Sequence, residues 1–108
     1  MISPSRPLSS YIELLATEQT TSQVLVEECL ASVAEPSGEG ARTFTRVYAA
    51  SARNVAETLD KQHRYDIAAT SLMGLPISIK DLFDVAGEST LGGWIVLSDA
   101  PHAACDAF

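Results

Sequence analysis

Lys80 ends a short run in which Ile77 and Ile79 alternate with Ser78, a period of two that reads as a β-strand with the isoleucines on one face. On that reading Ser78 and Lys80 share the other face. A strand buried in an α/β sheet is apolar, so a cation in it needs a reason. Burial disfavours an ammonium ion, and a lysine held away from water gives up its proton near neutral pH and can serve as a base. The plain alternative is a lysine that merely begins the loop after the strand. Asp81 faces away from Lys80 along an extended chain, which favours a role in the following turn over direct chemistry. Ser78 reads as a packing hydroxyl.

The elements that must position these residues can be traced from the amino terminus. Pro4 and Pro7 mark an irregular start, and Ser9 or Ser10 can cap a first short helix carrying Ile12, Leu14 and Leu15. Val26, Cys29, Leu30 and Val33 fall at i, i+3, i+4 and i+7, the apolar stripe of a core-facing helix, with Thr20 or Thr21 as its hydroxyl cap. Pro36, Gly38 and Gly40 end it in a loop. Residues 43–48, with Phe44, Val47 and Tyr48, are β-prone. A third helix repeats the helical spacing at Ala52, Val55, Ala56 and Leu59, with Arg53, Glu57, Asp60 and Lys61 as its wet face. Residues 62–72 read as the connection into the strand, where Pro76 suits a first position. Leu82, Phe83 and Val85 prolong the apolar stretch, Gly87 permits a turn, and residues 94–97 form another short strand or a buried loop. The order of helices and strands is α/β.

Residues 74–87, reading G-L-P-I-S-I-K-D-L-F-D-V-A-G, with Thr90 following, resemble the first signature block of the amidase signature family of serine hydrolases: G-x-P-hydrophobic-x-hydrophobic-K-D, then a hydrophobic pair and a glycine. Residues 20–30 resemble the family's opening helix, and residues 44–59 its strand followed by an alanine-rich helix. Pro101 and the pair Asp106 and Ala107 resemble the next landmarks. The resemblance extends from about Ser9 to Ala107.

The resemblance implies the amino-terminal part of one amidase domain, residues 1–108 belonging to an α/β/α sandwich around a mixed sheet that is incomplete in this chain. It implies hydrolysis of a carboxylic amide through a Ser, cis-Ser and Lys triad. Lys80 would be the base, and Asp81 and Thr90 would support it. A base of this kind contributes roughly 10²- to 10⁴-fold in rate. The two serines of the family lie in a G-G-S-S-G-G type segment downstream of the lysine, and none occurs here; Gly92 and Gly93 are followed by Trp94. The 108-residue chain alone is therefore expected to be inactive. Leu82 and Phe83 after the K-D pair resemble general amidases more than the A subunit of the glutamine-dependent transfer-RNA amidotransferase, which remains an alternative within the family. Two further alternatives are a truncated non-catalytic product and a small acidic interaction module.

Composition narrows the classes. A chain of 108 residues that is 46% hydrophobic is the size of one small domain. With 14 acidic residues against 7 basic ones, its net charge of -7 repels phosphate backbones and anionic membrane surfaces. The absence of a long apolar run or a secretory signal pattern gives a cytoplasmic location as the expectation. Cys29 and Cys105 match no redox or metal spacing, and His63 and His102 are scattered, so neither a cofactor nor a metal is expected. The resemblance implies a small-molecule amide substrate for the complete enzyme, and the charge argues for no nucleic acid and no membrane. An unpaired sheet edge would invite self-association.

Overall fold

The computed structural model describes residues 6–65 and 70–107, which carry four α-helices and one 3-10 turn: α1 (Leu8–Ala16), α2 (Ser22–Ala34), α3 (Gly40–Thr43), α4 (Ala49–Arg64) and the turn Ile95–Leu97. They separate into two compact units, Met1–Pro76 and Ile77–Phe108. Pro4 and part of the connection expected over 62–72 lie outside the described residues.

In the first unit α2 packs on α4 and is also touched by α3. Tyr11, Leu25, Val26 and Ala56 form its buried apolar centre. Val26 is buried while Cys29, Leu30 and Val33 are half-buried, so the stripe read from the spacing does face the packing side. Partial burial pushes the Cys29 thiol up from its ordinary range, with the neighbouring Glu28 charge adding to the effect. The fit of α3 against α2 depends on Gly40, which is buried; a side chain there would start 2.0 Å from the Val33 carbonyl oxygen.

Helix ends explain where these segments start and stop. The Val24 N–H donates to the Thr21 hydroxyl at 3.2 Å, an ordinary N-cap. The Asp60 carboxylate of α4 accepts from the Ser22 N–H at 2.7 Å, the Gln23 N–H at 3.1 Å and the Gln23 side chain at 2.9 Å. Two side chains thus satisfy three of the amides that α2 cannot pair internally. Asp60 belongs to the face read as wet, and its long-range capping role has no signature in local spacing. α1 starts after Pro7, with the Ser10 hydroxyl donating back to the Pro7 carbonyl, rather than at a serine cap. Its end is a Schellman arrangement, Glu18 N–H to Leu15 O at 3.1 Å and Gln19 N–H to Leu14 O at 2.9 Å. Glu18 sits there at φ 56, where glycine is usual.

Across α2 and α4, the Arg53 Nε and Nη2 donate to the two oxygens of Glu27 at 2.5 and 2.9 Å. Arg53 holds the Glu27 carboxyl below the usual carboxylate range, and Lys61 does the same for Glu57 one turn away.

The α/β expectation is corrected: among the described residues there is no strand and no sheet. Residues 75–80 and 44–48 are irregular, and residues 95–97 form an exposed 3-10 turn rather than a strand or a buried loop. A strand exists only when another strand takes its amides and carbonyls, and alternation in sequence cannot supply that partner. The mixed sheet of a sandwich and its pairing edge are therefore not found among the described residues.

The second unit has no buried apolar residue among those described, and Ile77, Phe83, Trp94, Ile95 and Val96 are exposed. Its order comes from hydrogen bonds instead. No described helix of either unit is long and apolar enough to cross a membrane.

Candidate active site

Lys80 opens a tight turn. Its carbonyl accepts from the Leu82 N–H at 2.7 Å and the Phe83 N–H at 3.2 Å, which fixes the backbone where the lysine side chain leaves the chain. The side chain is exposed, and among the described residues no carboxylate pairs with it. The dry setting inferred from Ile77 and Ile79 is not present, because those isoleucines are themselves 79% and 58% exposed. An apolar run needs a covering layer before it can exclude water from a neighbour.

The acids around the lysine are occupied with the loop. Asp81 Oδ1 accepts from the Leu91 N–H at 3.2 Å, closing the chain back on the turn. Asp84 Oδ1 accepts from the Thr90 hydroxyl at 2.6 Å. Asp106 Oδ1 accepts from the Ala86 N–H at 2.8 Å, while the Ala107 N–H returns a hydrogen bond to the Asp84 carbonyl at 2.9 Å. Further along, the Gly87 N–H donates to Ala103 O and the Ala103 N–H to Glu88 O, both at 2.8 Å, and the Ser89 hydroxyl donates to Ala100 O at 2.6 Å. Gly87, Gly92 and Gly93 take the positive φ values that let so short a segment fold back on itself.

Lys80, Asp81 and Thr90 therefore belong to one hydrogen-bonded loop, Asp81 and Thr90 through backbone and side-chain bonds and Lys80 through its carbonyl. Asp84 and Asp106 are the residues that sequence reasoning passed over as site elements. Their donors, the Thr90 hydroxyl and the Ala86 N–H, lie 6 and 20 positions away, so local spacing carried no signal of either role.

A separate cleft of about 330 Å³ lies in the first unit where α2 begins, lined among others by Thr20, Ser22, Asp60, His63, Arg64 and Gly74. Asp60 already occupies the helix amides there, so the cleft offers no free N-terminal pole to an anion. Among the described residues no three His, Cys, Asp or Glu side chains come together as metal donors.

Comparison with known proteins bears on the same residues. The Amidase family profile matches residues 25–108. The chain is 32% identical over 96 residues to the 1-carboxybiuret hydrolase subunit AtzE of Pseudomonas sp. (strain ADP), a match covering 89% of this chain and 21% of that subunit. Two solved structures are similar to it at 31% identity. One, described as a vestigial protein complex that reveals the evolutionary origins of an s-triazine catabolic enzyme, matches with a TM-score of 0.80 over 90% of this chain and 21% of its own. The other, an inhibitor-bound form of that complex, matches with a TM-score of 0.79 over 88% of this chain and 21% of its own. The chain thus spans about a fifth of the length of these relatives. With the family profile running through the Lys80 loop to the last residue, the chain belongs to the amidase family.

Proposed function

We propose that this chain contributes the lysine base of an amide hydrolase, with Lys80 as the base and Asp81 and Thr90 as supporting residues that shape its loop. The observation that carries the reading is an ammonium group left without a carboxylate partner among the described residues, on a turn whose neighbouring acids are all engaged elsewhere. A lysine paired with a carboxylate is held in its charged form, and one without such a partner is free to be tuned by whatever covers it. Amide hydrolysis needs a serine nucleophile, a base to take its proton and donors for the developing oxyanion. This chain offers the second of these. The serines would come from polypeptide corresponding to the remaining four-fifths of the relatives' length, and that polypeptide would also supply the dry surroundings that Lys80 lacks here. The exposed side chains of Ile77, Ile79 and Phe83 suit such a covering.

The relatives are a hydrolase subunit and a protein complex, which supports a reading in which the chain works with further polypeptide and the substrate is a small carboxylic amide. The 108-residue chain by itself is expected to release no product from a chromogenic anilide. The test is a chimera in which this chain replaces the matching fifth of the Pseudomonas subunit, assayed within that subunit's own assembly. Lys80→Ala is expected to lower kcat by at least roughly 10²-fold, the usual contribution of a positioned base. Turnover indifferent to Lys80→Ala would remove the proposal.

A further inference from the structure

Resting on the reading of Lys80 as the base, we propose that Asp84 and Asp106 are positioning residues that lock the loop following the lysine, the Asp106 carboxylate holding the Ala86 N–H and the Asp84 carboxylate holding the Thr90 hydroxyl. Each acid holds one arm of the loop and is tied to the other arm. Asp84 takes the Thr90 hydroxyl on its side chain and the Ala107 N–H on its carbonyl. Asp106, the residue before Ala107, takes the Ala86 N–H on its side chain. The segment 84–86 is thereby joined to 106–107 by two bonds running in opposite directions, and to Thr90 by a third.

This lock carries unusual weight because nothing apolar replaces it. The second unit has no buried hydrophobic residue among those described, so the path of the chain from Lys80 to Ala107 is set by hydrogen bonds: these, the Asp81 to Leu91 contact, and the bonds that tie residues 87–89 to Ala100 and Ala103. Both acids act as acceptors only. Their function in the lock depends on an oxygen at the right place rather than on negative charge, which separates positioning from acid or base chemistry. A base displaced by about 1 Å can lose roughly 10² in rate, so release of the lock is expected to reach the lysine.

The same chimera tests this. Asp84→Ala and Asp106→Ala are each expected to lower kcat by roughly 10- to 100-fold with KM changed less than about threefold, as for loss of an oriented group rather than of substrate binding. Asp84→Asn and Asp106→Asn keep a carbonyl oxygen at the same place and are expected to restore at least half of the parent kcat. Amide hydrogen exchange on the 108-residue chain is expected to show faster exchange at Ala86 in Asp106→Ala, with Asp106→Asn restoring protection, whereas Ala107, bonded to the backbone carbonyl of residue 84, serves as the control that keeps a direct acceptor in Asp84→Ala. If Lys80→Ala abolishes turnover while both alanine variants keep the parent kcat, the lock is overturned and the base assignment stands. If both Asn variants are as slow as the alanines, charge is required and the positioning role is overturned. If Lys80→Ala is fully active, the base assignment itself fails.

Discussion

The Ser22 hydroxyl donates to the Gly74 carbonyl at 2.6 Å, joining the first turn of α2 to the first residue of the signature block. Ser22 is 2% exposed, a buried polar side chain among the described residues. Gly74 stands at φ +93, and a Cβ on it would lie 2.5 Å from the Ser22 oxygen. The contact explains in physical terms why the block starts with a glycine.

Ser22→Ala leaves the Gly74 carbonyl without its donor and is expected to cost about 1–3 kcal/mol. Gly74→Ala combines an unfavourable φ with a collision and is expected to cost about as much again or more. The double variant should be less damaging than the sum of the two, because alanine at position 22 removes the oxygen that the new methyl strikes. Denaturant unfolding of the four proteins checks the sign of the coupling.

Asp60 is the second tie to the start of α2. Asp60→Ala removes both acceptors from the Ser22 and Gln23 amides and the negative charge from the positive pole of the helix, for an expected loss of about 2–3 kcal/mol. Asp60→Asn keeps one oxygen and should lose about half of that. Equal loss in the two variants, read from denaturant midpoints, would mean that charge outweighs the hydrogen bonds.

At the end of α1, Glu18 holds a left-handed conformation that costs a non-glycine residue about 1–2 kcal/mol. Glycine relieves that strain but adds freedom to the unfolded chain worth about 0.4–1 kcal/mol. Glu18→Gly is therefore expected to raise stability by about 0.5–1 kcal/mol, visible as a higher thermal midpoint. A lowered midpoint would show that the Glu18 side chain has contacts that outweigh its backbone.

The Glu27 carboxyl is held below its ordinary range chiefly by its hydrogen bond from Arg53. A folded-state value below the unfolded one means that the pair's contribution is fully present above about pH 4.3, the unfolded glutamate value, and is lost as pH falls through the lower folded value. Glu27→Gln is expected to flatten the acid side of the stability profile and leave its shape unchanged above neutrality. Because both partners are half-exposed, added salt should shrink the difference between variant and parent.

How much of this could be read beforehand differs between the two units. Val26, Cys29, Leu30 and Val33 announced α2, and Thr21 announced its cap, because helical periodicity and capping are local properties. Ala52, Ala56 and Leu59 likewise marked the packing side of α4, although Val55 of the same series is exposed. Asp60 could not be read, since its partners lie 37 and 38 positions away. The strand expected at residues 77–80 failed because alternation describes what a segment could bury, while pairing depends on other segments. The same gap separates the burial expected for Lys80 from its exposure. Lys80, Asp81 and Thr90 were grouped beforehand only by resemblance to the family's signature block, and the acceptor roles of Asp84 and Asp106 required the donors to be seen.

The chain has a single tryptophan, Trp94, and its indole stands two-thirds in water beside the 3-10 turn. That ring makes the second unit its own optical gauge. Its emission should begin at the long-wavelength limit of a hydrated indole, and any polypeptide that settles over this surface must move it to the blue, without a label and at micromolar concentration.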